Sequence, residues 1–80
     1  MPKDFEKLWL TQWKVRIEYD NNENPLYIGE AKSGIATSAT GWRIKKITYD
    51  SNNNPIQIDW ADGNTNMDNV WDGRASYSYS

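Results

Sequence analysis

The run Asp62–Asp68 carries Asp or Asn at every second position, as the first half of a calcium-binding loop does. The second half of that pattern is missing. Met67 stands where the loop needs a glycine for its sharp turn, and Gly73 stands where it needs a bidentate glutamate. The spacing leaves two alternatives, a calcium site and an Asx-rich loop, and the missing residues favour the loop. We therefore predict no metal site.

Catalytic chemistry has little support in this chain. It contains no His and no Cys, so the commonest general base, the thiolate nucleophile and the usual zinc ligands are absent. Ser and Thr are plentiful, but a hydroxyl nucleophile needs an activating base. A glycosidase needs two carboxylates at a defined separation, and nothing fixes one for the candidates Asp59, Asp62, Asp68 and Asp72. The sequence predicts a protein that is not an enzyme and binds no cofactor.

Aromatic side chains are the most prominent binding chemistry. Five Trp, five Tyr and one Phe make up 14% of the 80 residues. Exposed rings could stack on sugars, whereas the alternation around the tryptophans favours the core. The tryptophans assigned to the core on this basis are Trp13, Trp42, Trp60 and Trp71. Rings carry much of the burial energy of cores and interfaces, and so short a domain cannot easily hide all of them. We therefore expect part of this ring surface to meet a partner.

The charge distribution is uneven. Residues 1–48 hold eight Lys and Arg against six Asp and Glu, and residues 49–80 hold only Arg74 against five Asp. The basic residues 43–46, beside Trp42 and Tyr49, could form a strip for nucleic acid, but the net charge of −2 argues against that partner. The two halves could be ordinary solvated faces, or they could align copies of the chain head to tail.

An internal repeat at a spacing of 30 residues organises the middle of the chain. The run Tyr19–Ile28 returns as Tyr49–Ile58, and each copy has an Asx-rich segment followed by Pro. Asp and Asn bond to nearby backbone groups and favour turns, and Pro25 and Pro55 suit the first position of a returning strand. The repeat predicts two successive β-hairpins.

Alternating apolar residues flank both turns. Trp13, Val15, Ile17 and Tyr19 would share one strand face, and so would Ile56, Ile58 and Trp60. Between them, Trp42 and Ile44 start an alternation that Ile47 and Tyr49 resume out of phase. This slip indicates either a β-bulge or a strand that changes its buried face. The small-residue stretch 31–41 would be a flexible connector or an arm laid on a neighbour.

The two ends of the chain differ from the middle. Phe5, Leu8 and Trp9 have the i, i+3, i+4 spacing of a short helix. The segment 1–6 lacks an apolar stretch of signal-peptide length, and no run is apolar enough to span a membrane. The uncharged tail 76–80 alternates Ser and Tyr, as an edge strand would, and edge strands pair with their own sheet or with a neighbour.

These patterns predict an all-β fold, a small antiparallel sheet or open barrel built from two repeated hairpins, with a short N-terminal helix. Residues 1–80 would form a single domain, with hairpins near 13–30 and 42–61 and a C-terminal strand near 74–80. The side chains expected in its core are Trp42, Ile44, Ile58, Trp60 and Trp71.

The second half of the chain resembles a module of tailed bacteriophages. The resemblance is carried by Trp42–Asp50, then Ile58–Gly63, then Asp68–Asp72, followed by Arg74 and the Ser/Tyr tail. The modules occur in small virion structural proteins. They have Gly in the hairpin turn where this chain has Asn53, and a second Asp where it has Gly73. Both departures fall on turns.

The resemblance implies a bacteriophage virion structural protein, acting as a repeated subunit of the tail, neck, fibre or capsid, made in the host cytoplasm and carried in the virion. The partners expected are copies of the chain and other virion proteins, with no nucleic acid and no membrane. The alternative is a carbohydrate- or receptor-binding module on a virion fibre, with a host-surface glycan as partner. The residues expected at the interface are Trp9, Arg43, Lys45, Tyr77 and Tyr79.

Overall fold

The computed structural model describes residues 13–80, and the helix expected around Phe5 to Trp9 lies outside them. The described chain is almost entirely β. Its elements are the strands β1 (Trp13–Tyr19), β2 (Pro25–Lys32), β3 (Thr40–Tyr49), β4 (Pro55–Trp60) and β5 (Asn69–Val70), followed by a 3-10 helix (Trp71–Ser76).

The two repeats fold into hairpin turns with the same hydrogen bonds. In the first turn the Asp20 carboxylate accepts hydrogen bonds from the backbone N–H groups two and four residues later. In the second turn the Asp50 carboxylate does the same. Glu23 and Asn53 take the left-handed conformation at the matching position, with φ of 64° and 63°. The two turns therefore share a geometry although they differ in sequence. Asn tolerates the left-handed conformation better than Glu does.

The strands form one open antiparallel sheet in the order β1-β2-β3-β4, with β5 pairing with the start of β3. Each hairpin carries one register shift beside its turn, between Glu18 and Tyr19 and between Thr48 and Tyr49. Because β2 and β3 are antiparallel, both turns lie at the same end of the sheet, where Asn24 Nδ2 donates to Asn53 Oδ1 at 3.1 Å. The predicted all-β fold of a small antiparallel sheet is confirmed, in its open-sheet form.

Strand β3 explains the phase slip in the sequence. Its register with β2 and β4 is regular from Arg43 to Thr48, so this stretch contains no bulge. Trp42 and Ile44 are buried on one face, and Ile47 is 8% exposed on the other. Of the two alternatives, the strand that changes its buried face is the one observed.

The C-terminal segment covers one face of the sheet, which we call the covered face. Its core comprises the buried residues Ala31, Trp42, Ile44, Ala61 and Trp71. The rings of Trp42 and Trp71 pack at 5.8 Å between centroids. Arg74 fixes the 3-10 helix to β1, because its Nε donates to Glu18 Oε1 at 2.6 Å while its guanidinium lies over the Trp71 ring.

The tail belongs to this sheet. Trp60 and Ser80 exchange two backbone hydrogen bonds, Asp62 N donates to Ser78 O, and Tyr79 forms a bridge with Ala61. The strand expected near 74–80 is not formed: residues up to Ser76 are in the 3-10 helix, and the rest of the tail makes only an isolated bridge at Tyr79. The stretch 31–41 also packs within the chain, since Trp42 Nε1 donates to Ala36 O and Asp72 N donates to Thr37 O.

Three of the burial predictions are wrong. Ile58 is 53% exposed, Trp13 is 50% exposed and Trp60 is only half-buried. Trp42, Ile44 and Trp71 are buried as predicted. The misplaced side chains all lie on the same face of the sheet as Ile47, which the strand pairing shows. The C-terminal segment does not cover this face.

Candidate functional site: the open face of the sheet

The face opposite the C-terminal segment is apolar across all four long strands, and we call it the open face. Its apolar members are Trp13, Val15, Ile17 and Tyr19 of β1, Ile28 of β2, Ile47 of β3, and Ile58 and Trp60 of β4. Ile17 pairs with Ile28 and Ile47 pairs with Ile58, so apolar cross-strand pairs line its centre. Six large apolar side chains of the described chain are exposed, among them all four from β1. Contiguous apolar surface of this kind marks binding sites.

Strand β1 has the opposite polarity from the first half of β3. Its apolar residues face outward on the open face, while Lys14, Arg16 and Glu18 lie on the side of the C-terminal segment. Two of these polar residues serve that segment and its neighbours, since Glu18 binds Arg74 and Lys14 Nζ donates to Ile35 O at 2.7 Å. The apolar side chains of β1 would therefore be buried only if another layer covered the open face.

Aromatic and basic side chains lie together at the end of the open face away from the turns. The Arg43 guanidinium lies 5.3 Å from the Trp13 ring centroid and its Nε donates to Glu30 Oε1 at 2.7 Å. Lys45 Nζ lies 5.5 Å from the ring of its cross-strand partner Trp60. Arg and aromatic rings are enriched at protein interfaces. These contacts place basic groups beside the exposed rings at the rim of the apolar surface.

The turn end of the sheet has the opposite charge. Asp20, Glu23 and Asp50 lie in the two hairpin turns. On the open face, Lys32, Arg43 and Lys45 lie toward the other end with Glu30. Asp68 and Asp72 also lie at that end, beside β5 and in the 3-10 helix of the C-terminal segment. The pKa of the Asp50 carboxyl is below its ordinary value of 3.8, chiefly because the carboxylate accepts a hydrogen bond from the backbone N–H of Asn54. This carboxylate is therefore ionised at neutral pH. The side chains of the open face therefore run from acidic at the turn end to basic at the far end.

Two of the predicted interface residues meet on the open face and two do not. Arg43 and Lys45 lie there, and Trp9 lies outside the described residues. Tyr77 and Tyr79 pack against the core on the covered face, where the Tyr77 hydroxyl accepts from Val70 N and the Tyr79 hydroxyl donates to Arg74 O. Burial, together with the phenols of Tyr27 and Tyr77, raises the pKa of Tyr79. These phenols therefore support the fold of their own chain.

The run Asp62–Asp68 forms an Asx-rich loop in this structure. Asp62 has a φ of 58°, and Asn66 N donates to the Asn64 side chain at 2.9 Å. Asn69 is buried behind the loop, and its Nδ2 donates to Asp62 Oδ2 at 2.8 Å. Among residues 13–80, no three acidic side chains converge on a point where they could hold a metal ion.

The open face was missed as a site because its residues have the pattern of a core. Ile17 and Ile58 have the alternation and composition of buried strand residues, and nothing local distinguishes them from Ile44. One available signal was the phase slip in β3. Apolar residues on both faces of one strand require two covering layers, and within residues 13–80 the C-terminal segment supplies only one of them.

The fold and this surface together define a small open-sheet β protein with an exposed apolar face. Comparisons with protein-family models, with curated proteins and with solved structures each find no match for the chain. In the part of the chain that the structure describes, no helix is long and apolar enough to cross a membrane. What the open face offers chemically is burial of apolar area with a charged rim, which is the chemistry of protein association.

Proposed function

We propose that the protein is a bacteriophage virion structural protein, a repeated assembly subunit of the tail, neck, fibre or capsid that has no catalytic role. The observation that carries the assembly role is the inverted polarity of β1, whose Val15, Ile17 and Tyr19 are exposed while its charged residues lie on the covered face. A strand built in this way gains burial energy only when another layer covers it. The resemblance of residues 42–80 to a module of tailed phages supports the virion context.

Incorporation into particles tests this proposal. Virions assembled with tagged wild-type chain should retain it through density-gradient purification. Ile17→Glu places a charge on the open face and should exclude the chain from particles while leaving its circular dichroism unchanged, because Ile17 is exposed in the monomer. Arg16→Glu is the matched control, since Arg16 is also exposed and lies on the opposite face of the same strand.

Two results would count against the assembly role. Wild-type chain that never copurifies with virions would remove the virion context. Ile17→Glu incorporated as efficiently as Arg16→Glu would show that the open face is not the assembly surface.

A second candidate is a carbohydrate- or receptor-binding module on a virion fibre. Trp13 and Tyr19 favour it, because both rings lie on β1 and are 50% and 56% exposed. Glycan-array binding that Trp13→Ala abolishes, with incorporation into particles intact, would establish this role instead of a purely structural one. Unchanged binding in that variant would exclude Trp13 as the sugar platform.

A further inference from the structure

We propose that the open face is covered by the open face of a second copy, with the two sheets stacked as a two-fold symmetric sandwich and their strands running in opposite directions. This inference rests on the proposed assembly function and deepens it by naming the surface and the partner. Three observations carry it: the exposed area, the self-complementary apolar centre and the opposite charges of the side chains at the two ends of the open face.

The exposed apolar area matches what one partner of a stable interface contributes. Five exposed large apolar residues lie on the open face: Trp13, Val15, Ile17, Tyr19 and Ile58. At their observed exposures they present on the order of 500 Å² of surface, against roughly 800 Å² per partner in a standard interface. Half-buried Ile28, Trp60 and the stem of Lys45 extend the same surface. A second copy would supply an equal apolar area without requiring any other protein.

The centre of the face is suited to contact with itself. Ile17 and Ile28 pair across β1 and β2, and Ile47 and Ile58 pair across β3 and β4. Together they form a diagonal row, because the β3 residue opposite Ile28 is Lys45 and Ile47 lies two positions closer to the turn. Stacked β-sheets interdigitate such branched side chains at a separation of about 10 Å with their strands nearly aligned. In a two-fold interface each row meets its own copy, so one apolar row provides both sides of the contact.

The charges select the direction of stacking. If the two-fold axis ran along the strands, the acidic turns containing Asp20, Glu23 and Asp50 would lie over their own copies. If it runs across the strands, the acidic turn end of one copy lies over the basic end of the other, near Lys32, Arg43 and Lys45. The ends of a strand of seven residues are about 20 Å apart, well beyond the Debye length of about 8 Å, so they act as separate patches. The axis across the strands is therefore preferred.

Sedimentation velocity over a concentration series tests the stacking. The full-length chain should dimerise, and raising the salt from about 0.05 M to about 0.5 M should weaken the dimer by roughly threefold to tenfold. Ile58→Lys places a charge among the isoleucines of the open face, opposite Ile47, and should weaken the dimer by at least about 100-fold. Gln57→Lys, an exposed position on the opposite face of the same strand, should leave it unchanged.

Charge exchange tests the direction. Glu23→Lys and Lys45→Glu should each weaken the dimer, and the double variant should recover most of the loss, because the altered ends then attract again. If Glu23→Lys alone strengthens the dimer, the turns lie over one another and the proposed direction is overturned.

Other outcomes assign the face to another occupant. A full-length chain that stays monomeric at high concentration overturns the dimer. In that case, a lower melting temperature for Ile58→Lys would show that residues 1–12 of the same chain cover the face, and an unchanged one would leave it for a different protein. A dimer that survives Ile58→Lys uses another surface, such as the β1 edge. A chain that dimerises in solution but is absent from virions would support this inference and refute the proposed function. A chain that enters virions as a strict monomer would refute this inference and support the proposed function.

Discussion

Gly29→Ala should destabilise the protein more than any other single methyl group added to a glycine of the described chain. Gly29 lies in β2 opposite Ile44, directly beneath the indole of Trp71. A Cβ at this position would lie 2.7 Å from Trp71 Cζ3, still closer to Cε3, and 3.1 Å from Trp42 Cε3. Both rings belong to the buried core, so neither can move aside without shifting the 3-10 helix.

The size of the effect follows from overpacking, which costs about 1–3 kcal/mol in a packed core. Alanine recovers part of that by restricting the unfolded chain, by at most about 1 kcal/mol. A net loss of about 1–2 kcal/mol corresponds to a fall in melting temperature of roughly 5–15 °C for a domain of this length. The matched control is Gly73→Ala, whose Cβ would lie 3.6 Å or more from its neighbours at an ordinary φ.

Urea denaturation followed by far-ultraviolet circular dichroism measures both variants, with a double-mutant cycle to assign the cause. In a Trp71→Phe background the ring atoms Cε3 and Cζ3 are absent, so the added cost of Gly29→Ala should shrink by about 1 kcal/mol. If Gly29→Ala is as stable as the wild type, the close approach of Trp71 to β2 is wrong. If its cost persists in full in the Trp71→Phe background, the strain lies elsewhere.

Four further outcomes are expected. Glu23→Gly should stabilise the protein by about 0.5–1 kcal/mol, because Glu23 has a positive φ of 64°, whereas Asn22→Gly in the same turn should give no gain. The pKa of Tyr79 is raised in the fold, so the stabilisation by this phenol is complete below pH 10.0 and is lost as the pH rises further. Between neutral and alkaline pH, the melting temperature of Tyr79→Phe should therefore fall less than that of the wild type. Deleting residues 76–80 removes three backbone hydrogen bonds and two core tyrosines and should cost at least about 3 kcal/mol in urea, so retention of wild-type stability would detach the tail from the sheet. Calcium and excess chelator should leave the melting temperature unchanged, and a chelator-sensitive shift would make the Asp62–Asp68 loop a metal site.

The hairpins were predictable because their turns are specified locally. An Asp whose carboxylate bonds two backbone N–H groups within four residues needs no distant partner, and the same bonds form at Asp20 and Asp50. The alternation in β1 and β4 likewise identified which residues share a face. Both the turn bonds and the alternation can be recognised within segments of fewer than ten residues. Within such segments, the sequence predicts the local structure correctly.

The burial of each face was not predictable in the same way. Period-two alternation groups Val15 with Ile17, but it cannot say which segment, if any, covers the group. The covering layer here is a 3-10 helix and a short tail around Trp71. It docks through contacts between residues far apart in the sequence, such as Arg74 with Glu18, which are 56 residues apart. The sequence around Ile58 therefore does not predict that the C-terminal tail packs on the opposite face and leaves Ile58 exposed.

Strand β3 connects the folding of the monomer to the proposed assembly. Its first half buries Trp42 and Ile44 in the covered core, and its second half places Ile47 beneath the open face, with unbroken pairing between them. A layer that binds the open face therefore buries β1 and β4 against a strand that the covered core already holds in place. Binding to the native state alone raises apparent stability by mass action. The melting temperature of the wild type should consequently rise with protein concentration, and that dependence should disappear in Ile58→Lys, since the covered core of this variant is intact.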